Sequence, residues 1–97
     1  MNEMDSILTS IKKLLGITED YEHFDADIIM HINSVFLILN QMGVGPDQPF
    51  VISDASATWE DFSSDINKIQ MVKTYIGLKV KMIFDPPQGG AVAEAYK

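Results

Sequence analysis

The chain of 97 residues contains no cysteine and no arginine, and each absence excludes a class of function. Without cysteine there is no disulfide, no thiolate nucleophile and no cysteine-ligated zinc site. Without arginine the chain lacks the forked donor that proteins most often use to read guanine and to bind phosphate. The formal net charge of −7, from 14 acidic residues against seven lysines, also argues against nucleic-acid binding.

Long hydrophobic runs are lacking as well. No stretch approaches the roughly 20 apolar residues that a membrane span requires, and no basic region followed by a long apolar run opens the chain. We therefore expect a soluble protein with no secretion signal and no membrane contact. Because no nucleophile elbow, phosphate-binding glycine loop or catalytic triad pattern is present, we also expect no enzyme and no cofactor.

What the chain does contain is the composition of a folded domain, with 46% hydrophobic and 22% charged residues. Its length fits one domain. Three apolar repeats at helical spacing predict an all-α fold, a small bundle of three main helices with a long loop between helices two and three and a short C-terminal tail. We place the helical domain at residues 1–87, and at residues 88–97 a tail that is flexible or becomes ordered only on assembly.

The first predicted helix begins near Asp5 and ends before Gly16, which suits a left-handed cap onto which Ile17 folds back. The second predicted helix is the expected centre of the core, with Asp25 as its N-cap. The apolar stripes of these helices are Met4, Ile7, Leu8, Ile11, Leu14 and Leu15 in the first, and Ile28, Ile29, Ile32, Val35, Phe36, Leu39 and Met42 in the second. Met30 and Leu37 lie on the far side of the second helix and give only weak support for an interface.

A long loop is predicted at residues 44–64, with a brief extended edge at residues 50–52. Trp59 and Phe62 stand out in it, because large aromatic side chains in a polar connection usually anchor that connection to the core. We predict this anchoring role for both residues. The alternative is that they face a partner protein.

Glycines near this loop and in the third helix have different explanations. Turn geometry accounts for Gly43 and Gly45, which follow a helix end and precede a proline. Gly77 lies inside the third predicted helix, where glycine costs about 1 kcal/mol relative to alanine. Either another helix approaches closely at Gly77, or the residue is a tolerated surface glycine.

The third predicted helix, capped by Ser64 or Asp65, is apolar on two opposite sides, and this is its most informative feature. One side can pack on this small domain, whereas the other needs a further partner. The first stripe consists of Ile66, Ile69, Val72, Ile76, Val80 and Ile83. We predict that the second stripe is a subunit interface, formed by Met71, Tyr75, Leu78 and Met82. The helix is expected to stop at Asp85, Pro86 and Pro87, because a residue before proline disfavours the helical conformation.

The lysines of this helix flank the apolar stripes and do not form one basic stripe. A solvated role is one interpretation of Lys68, Lys79 and Lys81. The alternative is that they pair with acidic residues of neighbouring subunits and help to set the register of an oligomer. Lys73 lies within the first stripe and is expected to extend its ammonium group outward or to meet a carboxylate.

Four residues near the start of the second helix have metal-ligand chemistry, namely His23, Asp25, Asp27 and His31. The spacing of Asp27 and His31 places both on one face of a helix. Acidic side chains at a helix N-terminus are stabilised by the helix dipole, and an Asp-His pair at this spacing is itself favourable. We therefore predict no metal site.

The stretches IKKLLGI at residues 11–17 and YIGLKVKMIFDPP at residues 75–87 resemble the small helical head-tail connector proteins of tailed bacteriophages, also called adaptor or head-completion proteins. The resemblance implies a structural subunit of phages or prophages that forms a ring beneath the portal of the DNA-filled head, extends the DNA channel and joins the head to the tail. The implied partners are further copies of the chain, the portal protein and a neck or tail-completion protein. The implied location is the head-tail junction of the virion, with assembly in the bacterial cytoplasm.

Two properties of the residues agree with this resemblance. A second apolar stripe provides a contact between neighbouring subunits, and an acidic chain without arginine suits a channel that DNA passes through without being retained. In the proteins it resembles, a longer terminal segment follows the double proline, whereas ten residues follow it here.

The alternative to a connector subunit is a small helical protein-protein interaction or regulatory module that uses the same residues without forming a ring.

Overall fold

Three long helices and one short helix pack around a single core in residues 6–84, the part of the chain that the computed structural model describes. They are α1 (Ile7–Leu14), α2 (Asp25–Gln41), α3 (Trp59–Phe62) and α4 (Ile66–Ile83). The predicted all-α fold, with three main helices and a long loop between the second and third of them, is confirmed. Predictions for Met4, for the helix stop at Asp85, Pro86 and Pro87, and for the tail at residues 88–97 lie outside the described residues.

The limits of α1 follow from its flanking residues. The Ser6 hydroxyl accepts a hydrogen bond from the N–H of Thr9 at 3.2 Å and caps the start. At the other end Gly16 has φ 80°, and the N–H of Ile17 donates to the carbonyl of Lys12 at 2.8 Å. Ile17 is buried, so the predicted glycine cap is confirmed.

The second long helix, α2, begins without a side-chain cap. Phe24 occupies the N-cap position and makes no capping hydrogen bond, so the predicted cap at Asp25 is wrong. Asp25 lies in the first turn, where its carboxylate is 2.8 Å from Nζ of Lys12, a side chain that is only 2% exposed. Lys12 also donates to the carbonyl of Glu19 at 3.0 Å. A buried charge requires such partners, and together they join the end of α1 to the start of α2.

The core lies between the facing sides of α2 and α4, and α1 packs against both. Its members on or directly after the three long helices are Ile7, Leu8, Ile11, Leu15, Ile28, Ile32, Val35, Phe36, Leu39, Ile69, Val72, Ile76 and Val80. Four residues predicted for the buried stripes are instead exposed, namely Leu14, Met42, Ile66 and Ile83. All four lie at or just beyond the end of a helix, where the bundle covers only part of the side chain. Within residues 6–84 no helix is long and apolar enough to cross a membrane.

Side chains of α2 hold the following loop against the bundle. The predicted extended edge at residues 50–52 does not pair with another strand. Instead, Nδ2 of Asn33 donates to the carbonyl of Ile52 at 2.9 Å, and Oδ1 of Asn33 accepts from the N–H of Ile52 at 2.8 Å. Asn40 donates to two further loop carbonyls, each at 3.1 Å. The side-chain amides therefore satisfy loop backbone groups as a neighbouring strand would.

The short helix α3 interrupts the loop that was predicted to extend over residues 44–64. Thr58 and Asp61 form a capping box around its start, and the pattern T-x-x-D could have revealed this helix in the sequence. Trp59 and Phe62 are both buried. The indole N–H of Trp59 donates to the hydroxyl of Ser10 at 3.1 Å, so α3 is fixed directly to α1.

Three phenylalanine rings, those of Phe36, Phe50 and Phe62, meet where the loop joins the core. Their centroids are 5.1 to 5.5 Å apart. Gly45 has φ 96°, and a Cβ atom there would lie 2.8 Å from two ring atoms of Phe62. Gly43 has φ 81° but meets no atom within 4 Å. Turn geometry therefore explains Gly43, whereas Gly45 is also required by the close approach of a buried ring.

Candidate subunit interface

The last helix, α4, buries one apolar stripe and presents the other to solvent. Met71, Leu78 and Met82 are 55%, 61% and 78% exposed, and Tyr75 is partly buried. No element within residues 6–84 covers these side chains. Within the described part of the chain, the outward stripe is thus an unpartnered apolar face on a helix whose opposite face is buried from Ile69 to Val80.

Two residues from other helices extend this apolar face. Leu14, at the end of α1, lines a shallow depression together with Gly77 and Leu78. Met42, just after α2, lies on the other flank beside Met71 and Tyr75. We refer to Leu14, Met42, Met71, Tyr75, Leu78 and Met82 as the α4 surface. The surface thus combines three helices, although the sequence predicted only its four members on the third.

The position of Leu14 depends on Gly77. Gly77 is buried, and a Cβ atom there would lie 2.6 Å from Cδ1 of Leu14. The first of the two interpretations of this glycine is therefore correct, because α1 approaches α4 closely at this point. The missing side chain lets Leu14 lie next to Leu78 and makes the α4 surface continuous.

Lysines border the α4 surface. Nζ of Lys79 lies 5.6 Å from the centroid of the Tyr75 ring, an arrangement that keeps the charge next to the apolar stripe. Lys81 is exposed and Lys68 is partly buried. Lys73, which the sequence placed within the buried stripe, reaches the ring of Trp59 with Nζ 5.5 Å from its centroid.

A second apolar surface lies on the outer side of α2. Met30 and Leu37 are exposed there, and Ile29 beside them is partly buried. Pro49 and the exposed Val51 from the loop form the other wall of a shallow groove. We refer to Ile29, Met30, Leu37, Pro49 and Val51 as the α2 surface. The sequence showed only Met30 and Leu37, because the loop residues reach this place through the Asn33 hydrogen bonds to Ile52.

Charges of opposite sign are separated along the chain. Residues 16–65 contain ten acidic residues and no lysine, whereas α4 contains four lysines and no acidic residue. The α4 surface therefore has a basic border. The α2 surface belongs to the purely acidic part of the chain.

Three of the four residues considered for a metal site have other contacts. Asp25 pairs with Lys12. The ring of His23 packs edge-on against Phe24 at 4.8 Å, and the ring of His31 lies 6.1 Å from that of Phe84. Among residues 6–84 there is no group of three or more His, Asp or Glu side chains that could hold a metal ion.

Comparison with known proteins assigns the chain to a family. No curated protein and no solved structure matches the chain. A family model described as "Phage connector protein" matches residues 7–97, a span that includes both stretches on which the resemblance rests and every residue of the α4 surface. The chain therefore belongs to the phage connector protein family.

Proposed function

We propose that the chain is the repeating subunit of a ring that docks beneath the portal, extends the DNA channel and joins the phage head to the tail. Membership of the phage connector family makes the protein a structural component of a bacteriophage connector. The ring, its position at the head-tail junction and its assembly in the host cytoplasm go beyond that membership.

The observation that carries the proposal is the α4 surface. A small domain with a complete core on one side of α4 exposes Met71, Leu78 and Met82 on the other. Monomeric proteins rarely expose large contiguous apolar patches, and such patches usually mark contact sites. Repeated contacts between copies of one chain close into a ring when the rotation between neighbours permits it.

The distribution of charge supports a DNA channel. The lysines of α4 border the apolar surface, so a contact made through that surface would cover them. The acidic residues of the preceding part of the chain would then dominate what remains accessible. Each contact between a lysine and a DNA phosphate adds to the retention of the DNA. An acidic lining makes few such contacts and therefore favours free passage.

The oligomeric state of the full-length protein tests the proposal. We would measure its mass by light scattering coupled to size exclusion over a wide concentration range, and count subunits by native mass spectrometry. We expect one closed oligomer of defined subunit number, to which isolated portal rings and the neck or tail-completion protein bind. A chain that never self-associates but forms a small defined complex with an unrelated protein would support the interaction or regulatory module instead.

A separate experiment tests the relation to DNA. We expect the assembled protein to pass through heparin and duplex-DNA columns at moderate salt without retention, because its net charge is −7. Retention that persists as salt is raised would contradict the proposed channel lining.

A further inference from the structure

We infer that neighbouring subunits contact each other head to tail, with the α4 surface of one copy docked on the α2 surface of the next. This inference rests on the proposed ring and specifies the contact that would build it. Its occupant is a second copy of this chain.

The two surfaces lie on opposite sides of the molecule. The packed faces of α2 and α4 look toward each other across the core, where Ile32 and Ile76 are both completely buried. Leu37 and Leu78 lie on the outer sides of these helices and are exposed. A cyclic contact between identical subunits requires two different surfaces on each subunit, and in a ring of many subunits these lie on nearly opposite sides, as they do here.

Charge disfavours the symmetric alternatives. A two-fold contact between α4 surfaces would bring the lysines of one copy against those of the other. A two-fold contact between α2 surfaces would bring the acidic side chains of the two copies together. Like charges placed opposite each other in an interface are strongly unfavourable. Only the pairing of the α4 surface with the α2 surface brings opposite charges together.

Specific acidic residues are available beside the α2 surface. Asp27 is exposed and precedes Met30 by one helical turn. Asp47 and Asp54 are exposed and flank the loop wall at residues 49–51. Hydrogen bonds from the hydroxyl and N–H of Ser56 lower the pKa of Asp54, so its carboxylate keeps its charge to lower pH than an ordinary aspartate. These positions suit pairing with Lys68, Lys79 and Lys81.

The side chains on the two surfaces also suit each other in shape. The α2 surface is a shallow apolar groove between a helix and a loop that Asn33 holds in place. The α4 surface is a helical ridge whose most exposed members are Met82 and Leu78. Methionine has three rotatable bonds and fills irregular apolar gaps, and a helical ridge in an apolar groove is a common mode of recognition.

Two full-length variants block one surface each. Leu78→Asp places a charge on the α4 surface, and Leu37→Asp does so on the α2 surface. Val51→Asp is a second block of the α2 surface that lies in the loop and leaves every helix unchanged. Ile66→Asp is the matched control, because Ile66 is exposed on α4 but belongs to neither surface. We would check by circular dichroism that each variant keeps its helix content.

Mixing the variants distinguishes the contacts, with masses measured by native mass spectrometry. We expect wild type and Ile66→Asp to form the ring, and Leu78→Asp, Leu37→Asp and Val51→Asp each to remain monomeric. An equimolar mixture of Leu78→Asp and Leu37→Asp should form a one-to-one dimer and nothing larger, because each such pair retains one intact contact.

Each contrary outcome has a separate meaning. Rings formed by both Leu37→Asp and Val51→Asp would overturn the contact and leave the proposed ring intact. Absence of the mixed dimer at the highest attainable concentration would also overturn this contact. A wild-type protein that stays monomeric under the same conditions would overturn both the ring and the contact.

Discussion

The two faces of α4 differ in composition as well as in exposure. The inward row consists only of β-branched residues that are at most 2% exposed, namely Ile69, Val72, Ile76 and Val80. The outward row has no β-branched residue and consists of Met71, Tyr75, Leu78 and Met82. A β-branched side chain has one strongly preferred rotamer in a helix, so it loses little freedom in a fixed core, whereas methionine and leucine adapt to a partner.

This difference shows how one helix can serve two purposes. We expect substitutions on the inward row to change the free energy of unfolding, and substitutions on the outward row to change contacts with other molecules. The following experiments test how far the two effects are separable.

The largest expected effect comes from placing a charge on each row in turn. Ile76→Asp buries a carboxylate among apolar side chains, which costs several kcal/mol, about as much as the whole stability of a domain this size. We expect this variant to lose its helical circular dichroism at 25 °C. Leu78→Asp places the same group in solvent and should keep the wild-type spectrum while failing to assemble. Equal loss of helicity in both variants would show that the two rows are not independent.

A second test compares two glycines, of which only Gly45 faces a buried side chain. Both Gly43→Ala and Gly45→Ala place a Cβ atom at positive φ, which costs about 1 kcal/mol. Only Gly45→Ala also pushes against Phe62, a ring confined by Phe36 and Phe50, for a total of about 2 to 4 kcal/mol. Urea unfolding midpoints measure the difference. Equal losses in the two variants would mean that the ring yields freely.

A third test concerns the hydrogen bonds that position the loop. Asn33→Ala leaves the N–H and carbonyl of Ile52 without their partner, at a cost of about 1 to 3 kcal/mol. The neighbouring Ser34→Ala removes only an exposed hydrogen bond to Met30 and should change stability by less than about 0.5 kcal/mol. Amide hydrogen exchange should accelerate at Ile52 in the first variant alone. Unchanged protection there would show that other contacts hold the loop.

The smallest effect is expected at Gly77, on the border between the two rows. Gly77→Ala gains about 1 kcal/mol of helix propensity but displaces the tip of Leu14. Because Leu14 is exposed, its side chain can rotate away, and we expect the free energy of unfolding to change by less than about 1 kcal/mol. A thermal melt measures this. A loss above about 2 kcal/mol would show that Leu14 is fixed as firmly as a core residue.

Helical periodicity was enough to predict the centre of each helix but not its ends. The spacing of Val72 and Ile76 identifies a buried face because the geometry of a helix repeats regularly. The same spacing continues through Leu14 and Met42, which are exposed although α4 lies beside both. Periodicity describes one helix and carries no information about how much of its side a neighbouring helix covers.

The candidate site was predictable only where it follows one helix. The four members of the α4 surface on α4 share a helical face, whereas Leu14 and Met42 join it through tertiary packing. Val51 joins the α2 surface because the side chain of Asn33 bonds to the backbone of Ile52, 19 residues further along the chain. The pairing of Lys12 with Asp25 was equally inaccessible, because no local spacing connects two residues on different helices.

The position of Trp59 has a practical consequence for spectroscopy. It is the chain's single tryptophan, it is completely buried, and its indole donates to Ser10. Its emission should therefore lie toward short wavelengths in the folded protein and move to longer wavelengths when the core opens. Because the ring is completely buried and belongs to neither apolar surface, subunit association should leave that emission unchanged. Intrinsic fluorescence would thus report folding alone, and light scattering recorded on the same sample would report assembly.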